Sequence, residues 1–417
     1  ATFDGENPVA MLTATPAPTP DSEPRVAPKI NRPSGAETVS FSAEVAPLLV
    51  ESCSGCHLDA MQDRGGLQMD TFAELLSGGD SGAIITPGRG EASLLIKKLR
   101  GTATDGQRMP LNRASLSDES IALISKWIDE GAVLDADETQ PLRVMSQLAW
   151  AANATSAEKS ERRAEIAERN LRLAGVTDAS GEEITPHFRI IGTASSATRE
   201  LVGKLAEKHL KSAKSIARAG SDENPEDYFR GRATIFVYPR RYDYSEFAKM
   251  VEGRSLPSAW SSHWMADGID AYVTVVAGER EEEETVEARL LAPVVSLAIA
   301  ARGVETPRWF AEGLGKAMSL QQNATQRNER EKIQASVLEA AATVKDAKAF
   351  MENRLTAEQS DALGTALAFS MLERNRRRML EGTLRMMGQN QSFDRSFTSG
   401  FGVKPSAYID QFLSTLR

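Results

Sequence analysis

Apolar positions recur at helical spacing through the first part of the chain. Phe41, Val45, Leu48 and Leu49 fall on one helix face. Phe72, Leu75 and Leu76 repeat the spacing, and Gly78-Gly79 stops it. Leu94, Leu95 and Leu99 share a face in a helix predicted from Glu91 to Leu99, with Gly101 just beyond. The clearest helix follows Ser117, a good N-cap, with Asp118 and Glu119 at the positive end of the dipole. Its stripe is Ile121, Ile124, Trp127 and Ile128, and Gly131 ends it. These periods predict an all-helical domain over residues 39–137, with the terminal helix packed on the first.

Residues 138–180 read as a helical connector, because the stretch from Glu158 to Leu173 is dense in Ala, Glu and Arg and Gly175 follows. Then the period changes. His187–Ile191, Ala233–Tyr238 and Ala271–Val276 read as strands, and a long helix from Ala197 to Ala219 separates the first two. Helices follow to the C-terminus, among them a buried one from Leu290 to Ala301. Residues 181–417 are therefore expected to form an α+β domain, making the chain multidomain.

At 417 residues the chain exceeds what one core usually holds, in agreement with that division. A hydrophobic content of 41% and a charged content of 26% are those of a globular protein, so a folded core is expected. The net charge of -9 argues against a nucleic-acid surface. No apolar run is long enough to span a bilayer, so no integral membrane span is expected. Residues 1–38 read as a flexible tether, with Pro, Ala, Thr and Ser concentrated from Pro8 to Pro33. The chain starts at Ala1 and not Met, which fits removal of a signal peptide.

The chemistry begins at Cys53-Ser54-Gly55-Cys56-His57, which holds both cysteines of the chain. C-x-x-C-H is the covalent attachment sequence of a c-type haem: two thiols reach the vinyl groups, and the adjoining imidazole becomes the proximal iron ligand. A zinc site would need a second Cys pair, which the chain lacks. A disulfide across two residues would close too short a loop to constrain much. For the second axial ligand, Met109 in the polar loop Gly106–Pro110 is the best candidate, since Met61 and Met69 lie close to the motif. The alternative for Met109 is an ordinary packed thioether.

The wider pattern, Phe41, Pro47-Leu48-Leu49, Cys53 to His57, Gly65-Gly66-Leu67, Gly79, Gly82, Pro87-Gly88, Ser93-Leu94, Met109-Pro110, Leu116, Trp127-Ile128 and Gly131-Ala132, resembles the planctomycete-type cytochrome c domain. The resemblance implies a class I-like helical cytochrome with His57 and Met109 as axial ligands and one covalent haem c. The family commonly has a second Pro after Met-Pro; Leu111 stands there instead.

The second domain offers less. Glu279 to Glu284 is an acidic run read as a solvated loop or helix start. His187 is placed in or beside a strand, His209 near the end of a helix and His263 in a loop. None has a second His at i+3 or i+4, so structural or surface roles are expected. The segment Thr306-Pro307-Arg308-Trp309-Phe310-Ala311-Glu312-Gly313-Leu314-Gly315 is similar to that of gluzincin (MA-like) peptidases in which the Glu is the third zinc ligand. The C-terminal segment, Ser392 to Leu416, looks like the helical end of the same peptidases.

In those enzymes an upstream helix carries H-E-x-x-H. Counted back from Glu312, the two histidines would fall at Ala292 and Ser296 and the general base at Pro293, and no His occurs after His263. The resemblance therefore implies a zincin-like domain without its catalytic residues. Glu312 is either a relic ligand or a structural residue accepting hydrogen bonds at the start of a helix from Glu312 to Leu320.

The function expected from these residues is electron transfer by an exported or periplasmic mono-haem c-type cytochrome. No catalytic residue is assigned. The degenerate peptidase-like domain would serve as scaffold or docking module for a redox partner protein or for a protein or cell-envelope ligand. The alternative is a haem-based enzyme or sensor with an open iron position and a substrate- or peptide-binding second domain.

Overall fold

The computed structural model describes residues 28–60, 64–176, 181–217, 227–303, 306–322, 327–344, 346–352, 354–389 and 391–416. Most of the expected tether, and Met61, lie outside the described residues. The chain divides into two compact units, 1–149 and 150–417.

In the first unit a π-helical turn, Phe41–Val45, runs directly into α1 (Ala46–Cys53). Ser40 caps it, its hydroxyl accepting from the Ala43 amide. Three helices follow: α2 (Phe72–Ser77), α3 (Leu94–Arg100) and α4 (Asp118–Asp129). Thr71 and Glu74 form a reciprocal capping box on α2, which explains a stable helix of only six residues. The third helix starts at Leu94 and not at Glu91 as the periodicity suggested, because Ser93 holds extended backbone and its hydroxyl is used by the preceding loop, accepting from the Thr86 amide.

Phe41, Phe72 and Trp127 meet edge-on or tilted in the centre of this unit, with ring centroids 4.7 to 6.1 Å apart. All three are fully buried. The terminal helix is thus keyed to the first turn, as the sequence predicted. The next helix, α5 (Leu142–Asn153), places Leu142 and Met145 in the same core.

The second unit begins with α6 (Ser156–Leu173) and is built around a five-stranded sheet. Its elements are β1 (Glu182–Ile184), β2 (Phe188–Gly192), α7 (Ser196–Ala217), β3 (Ala233–Tyr238), α8 (Arg241–Val251), β4 (Ser262–Ala266) and β5 (Ala271–Val276). The sheet order is β1-β2-β3-β5-β4, with β2, β3 and β5 parallel and both outer strands antiparallel. Helices cover both faces. Ala233, Ile235 and Val237 of β3 pack toward α7, while Phe236 and Tyr238 pack with Ala167 of α6 and Phe247 of α8. Burial on both sides makes the central strands continuous apolar runs, which is why they were visible in the sequence.

The outer strands were not visible. β1 is three residues long with two glutamates, and β4 mixes Ser, His, Trp, Met and Ala. His263 accordingly lies in strand β4 and not in a loop, a placement fixed by its pairing opposite Thr274. His209 lies inside α7 and not near its end, and it is buried.

Eight helical stretches complete the unit among the described residues: α9 (Glu283–Ala300), α10 (Arg308–Gln322), α11 (Arg327–Thr343), α12 (Ala347–Met351), α13 (Ala357–Leu372), α14 (Arg377–Met387), α15 (Phe393–Phe401) and α16 (Pro405–Leu416). The acidic run supplies the first turn of α9, where Glu283 and Glu284 suit the dipole. The predicted helix start at Glu312 is corrected: α10 opens four residues earlier, at Arg308, so Glu312 lies on its second turn and caps nothing.

Candidate functional site

The motif cysteines close α1. Cys53 is its last residue, and the amides of Cys56 and His57 both donate to the Cys53 carbonyl, at 3.3 and 3.0 Å. This winds the motif into a turn that the Gly55 amide seals on Leu58 O at 2.8 Å. Both cysteines are free and half-buried. Burial pushes the Cys53 thiol up to about 11 against the pull of the nearby Arg113 guanidinium, so it is a neutral thiol at neutral pH.

The segment after the motif folds back on His57. The Met69 amide donates to His57 O at 2.8 Å, and His57 Nδ1 lies 3.0 Å from Leu67 O. A carbonyl only accepts, so Nδ1 carries a hydrogen, and in the neutral ring Nε2 has the lone pair. Met69, tied to His57 through its backbone, is 1% exposed and packed in the core.

Met109 arrives from the other end of the domain. Its amide donates to Lys98 O at 3.0 Å, and the Arg108 Nε donates to Leu99 O at 2.9 Å, strapping the loop to the last turn of α3. The Met109–Pro110 peptide bond is cis. Its side chain packs half-buried against the core.

These residues share one cavity of about 270 Å³. Cys53, Cys56, His57 and Met109 all line it, with Leu67, Met69, Ile84, Leu94, Leu95 and Leu99 as apolar walls. Arg64, Lys98 and Arg113 also reach it, charges that sequence periodicity gave no reason to single out. Two free thiols, an imidazole with one nitrogen fixed and the other open, and a thioether, all on an apolar chamber, are the donor set that a c-type haem needs. The group fits the residues present.

The second unit contains a larger cleft of about 610 Å³. Ala292, Pro293, Ser296 and Glu312, singled out by spacing, line it together. Gly315 makes this possible: a Cβ there would run into the Ser296 hydroxyl and Ala292 O, so α9 and α10 approach to backbone contact. Glu312 is clasped by two cations of its own helix. Arg308 Nε donates to it at 3.0 Å and Lys316 Nζ lies 3.3 Å away. Burial raises its carboxyl, but the charges of Lys316 and Arg308 outweigh that and hold it below the ordinary range.

The three histidines of this unit are apart. His187 pairs with Glu207 at 2.7 Å. His209 is buried, and burial lowers its pKa. His263 bridges Tyr244 and Glu252, at 2.9 and 2.6 Å. Among the described residues no group of three or more His, Cys, Asp or Glu is arranged to hold a metal ion.

The helical fold and the cysteine–histidine cavity of the first unit resemble those of a c-type cytochrome domain. In particular, residues 53–110 match the family described as Planctomycete cytochrome C, which implies haem c. A search among curated proteins finds no match to the chain. No described helix is long and apolar enough to cross a membrane.

Proposed function

We propose that this protein is an exported mono-haem c-type cytochrome that carries electrons, with the second unit an inactive peptidase-like module that docks or scaffolds. The observation that carries this reading is the meeting of Cys53, Cys56, His57 and Met109 on one apolar cavity. Cys53 and Cys56 would hold the haem covalently, and His57 Nε2 and the Met109 thioether would ligate its iron. When bound, the group supplies a one-electron couple, and Met/His ligation sets it at a higher potential than bis-His. The protein would supply largely apolar walls around the group and a carbonyl that fixes the His57 ring.

The peptidase-like reading of the second unit is supported by the cleft in which Ala292, Pro293 and Ser296 face Glu312. Ala, Pro and Ser offer no imidazole and no carboxylate base there, and Glu312 is already neutralised by Arg308 and Lys316. The expected behaviour is a scaffold without hydrolytic chemistry.

The test is a pyridine haemochrome assay and an optical and EPR spectrum of the full-length protein. One covalent haem per chain, low-spin in the ferric state, is expected. Absence of covalent haem overturns the proposal. A high-spin ferric form that binds CO rapidly when reduced would replace it with the sensor or enzyme reading. Stoichiometric zinc, with peptide cleavage lost in Glu312→Gln, would overturn the inactive-module part alone.

A further inference from the structure

The haem-binding turn is fastened from behind by a residue in the stretch 138–180, which the sequence reads as a connector. Arg143 stands on the first turn of α5, and its guanidinium reaches back to the motif. Its Nε and Nη2 both donate to Asp59 Oδ2, at 2.9 and 2.6 Å, and Nη2 also donates to Ser54 Oγ at 3.0 Å. Ser54 lies between the two cysteines, and Asp59 lies two residues past His57. Ser54 Oγ in turn donates to Val50 O of α1. One side chain thus ties a residue inside the motif to one just beyond it. Ser54, Asp59 and Arg143 are not among the residues that line the cavity.

Asp59 is held in an uncommon conformation. Its φ is +50, in the left-handed region, and its amide donates to Asp70 Oδ1 at 2.7 Å. Asp70 O accepts from the Leu142 amide at 2.8 Å, and the amide of the neighbouring Met69 donates to His57 O. These bonds close a circuit from His57 through Met69, Asp70, Leu142 and Arg143 back to Asp59. Leu142 is fully buried in the core of the first unit, which anchors the start of α5. Left-handed backbone at a residue other than glycine, over-determined by its surroundings, is a feature that clusters at functional sites.

The ion pair itself adds little to stability, because 43% of the Arg143 side chain and 60% of that of Asp59 are exposed. Its consequence is electrostatic. Asp59 and Asp70 bring two carboxylates close behind His57 in the chain, and Arg143 is the cation bonded to Asp59 there. An uncompensated carboxylate near an iron favours the oxidised form, which carries one more positive charge, and so lowers the reduction potential. Hydrogen bonding and charge around the ligands are among the means by which a protein sets that potential.

We propose that Arg143 is a positioning residue of the haem site: it holds the Cys53–His57 turn through Ser54 and neutralises Asp59, keeping the reduction potential up. The inference rests on the electron-transfer reading and adds to it a determinant of the potential supplied by a helix outside the motif.

The experiment is spectroelectrochemistry of the full-length protein carrying Arg143→Gln, Asp59→Asn or both, at low and high salt. Arg143→Gln is expected to lower the potential, Asp59→Asn to raise it, and the double variant to return toward the parent. High salt is expected to shrink both shifts, since the pair is exposed. Loosening of the turn alone would move the two single variants the same way, so opposite signs separate the charge from a structural role. Arg143→Lys keeps the charge without the planar fork, and is expected to recover most of the potential lost in Arg143→Gln. Should Arg143→Gln fail to fold, Asp59→Asn decides, and the absence of a rise there overturns the inference. Covalent haem with unmoved potentials, or with shifts of one sign, overturns it and leaves the electron-transfer reading standing. Absence of covalent haem in the parent overturns that reading and this inference with it.

Discussion

His57 Nδ1 lies 3.0 Å from the carbonyl oxygen of Leu67, ten residues further along the chain. That one bond fixes the imidazole ring and its tautomer, leaving Nε2 toward the cavity it lines. The loop that delivers the carbonyl turns at Gly65 and Gly66, both in the left-handed region at φ +65 and +62. A Cβ at Gly66 would also collide with Asp80.

Gly66→Ala is therefore expected to destabilise the first unit by about 1–2 kcal/mol from backbone strain alone, with the collision adding to it. Covalent haem should remain, because Cys53 and Cys56 are untouched. Thermal unfolding followed by haem absorption checks this, and an unchanged midpoint would show that the loop absorbs the side chain freely.

Met109→Ala is expected to leave the haem attached while abolishing the far-red absorption of a thioether–iron bond, lowering the reduction potential and admitting CO. Spectroelectrochemistry of the full-length variant provides the measurement. Persistence of that band would move the ligand role to another methionine, of which Met69 is the first to substitute because it lines the same cavity.

Trp127 joins α4 to the first turn of the domain. Its ring lies 4.9 Å from that of Phe41, and its Nε1 donates to Val133 O at 2.9 Å. Trp127→Ala should cost about 3–5 kcal/mol, the range for removing a buried aromatic side chain. Trp127→Phe should cost less, since it keeps the ring contact and loses the hydrogen bond. Denaturant titrations of the two variants separate the terms.

In the second unit Glu252 is buried with His263, Tyr272 and Arg254 around it. Burial raises its pKa, but the hydrogen bonds from these three groups and the His263 charge prevail and bring it from 4.5 down to about 2. A depressed carboxyl contributes its full stability above 4.5 and loses it as pH falls from there toward 2. Glu252→Gln should lower stability at neutral pH and flatten the acid limb across that window. Urea unfolding followed by tryptophan fluorescence at stepped pH tests both; an acid limb as steep as the parent's would assign the slope to other carboxylates.

The sequence by itself determined the parts whose physics is local. C-x-x-C-H places two thiols and an imidazole within one turn, and no tertiary contact is needed to read its chemistry. The four helices of the first domain were legible because each combines an apolar stripe with nearby capping or stop residues, as Ser117 and Gly131 do around Ile121 to Ile128. The parallel strands were legible because helices cover both of their faces, which forces continuous apolar runs.

Tertiary structure decided what depends on partners distant in sequence. That Met109 shares a cavity with His57 follows from its loop being strapped to Lys98 and Leu99. β4 became a strand through pairing with β5, since an outer strand needs only one apolar face and its Ser-His-Trp-Met-Ala sequence alternates too weakly to announce it. Glu312 was found by motif, yet its state was set by Arg308 and Lys316, one helical turn to either side, on a helix whose start the sequence misplaced. Periodicity reports which face of an element is buried. Which faces meet, and which polar groups are left facing a cleft without a partner, is settled only when the elements pack.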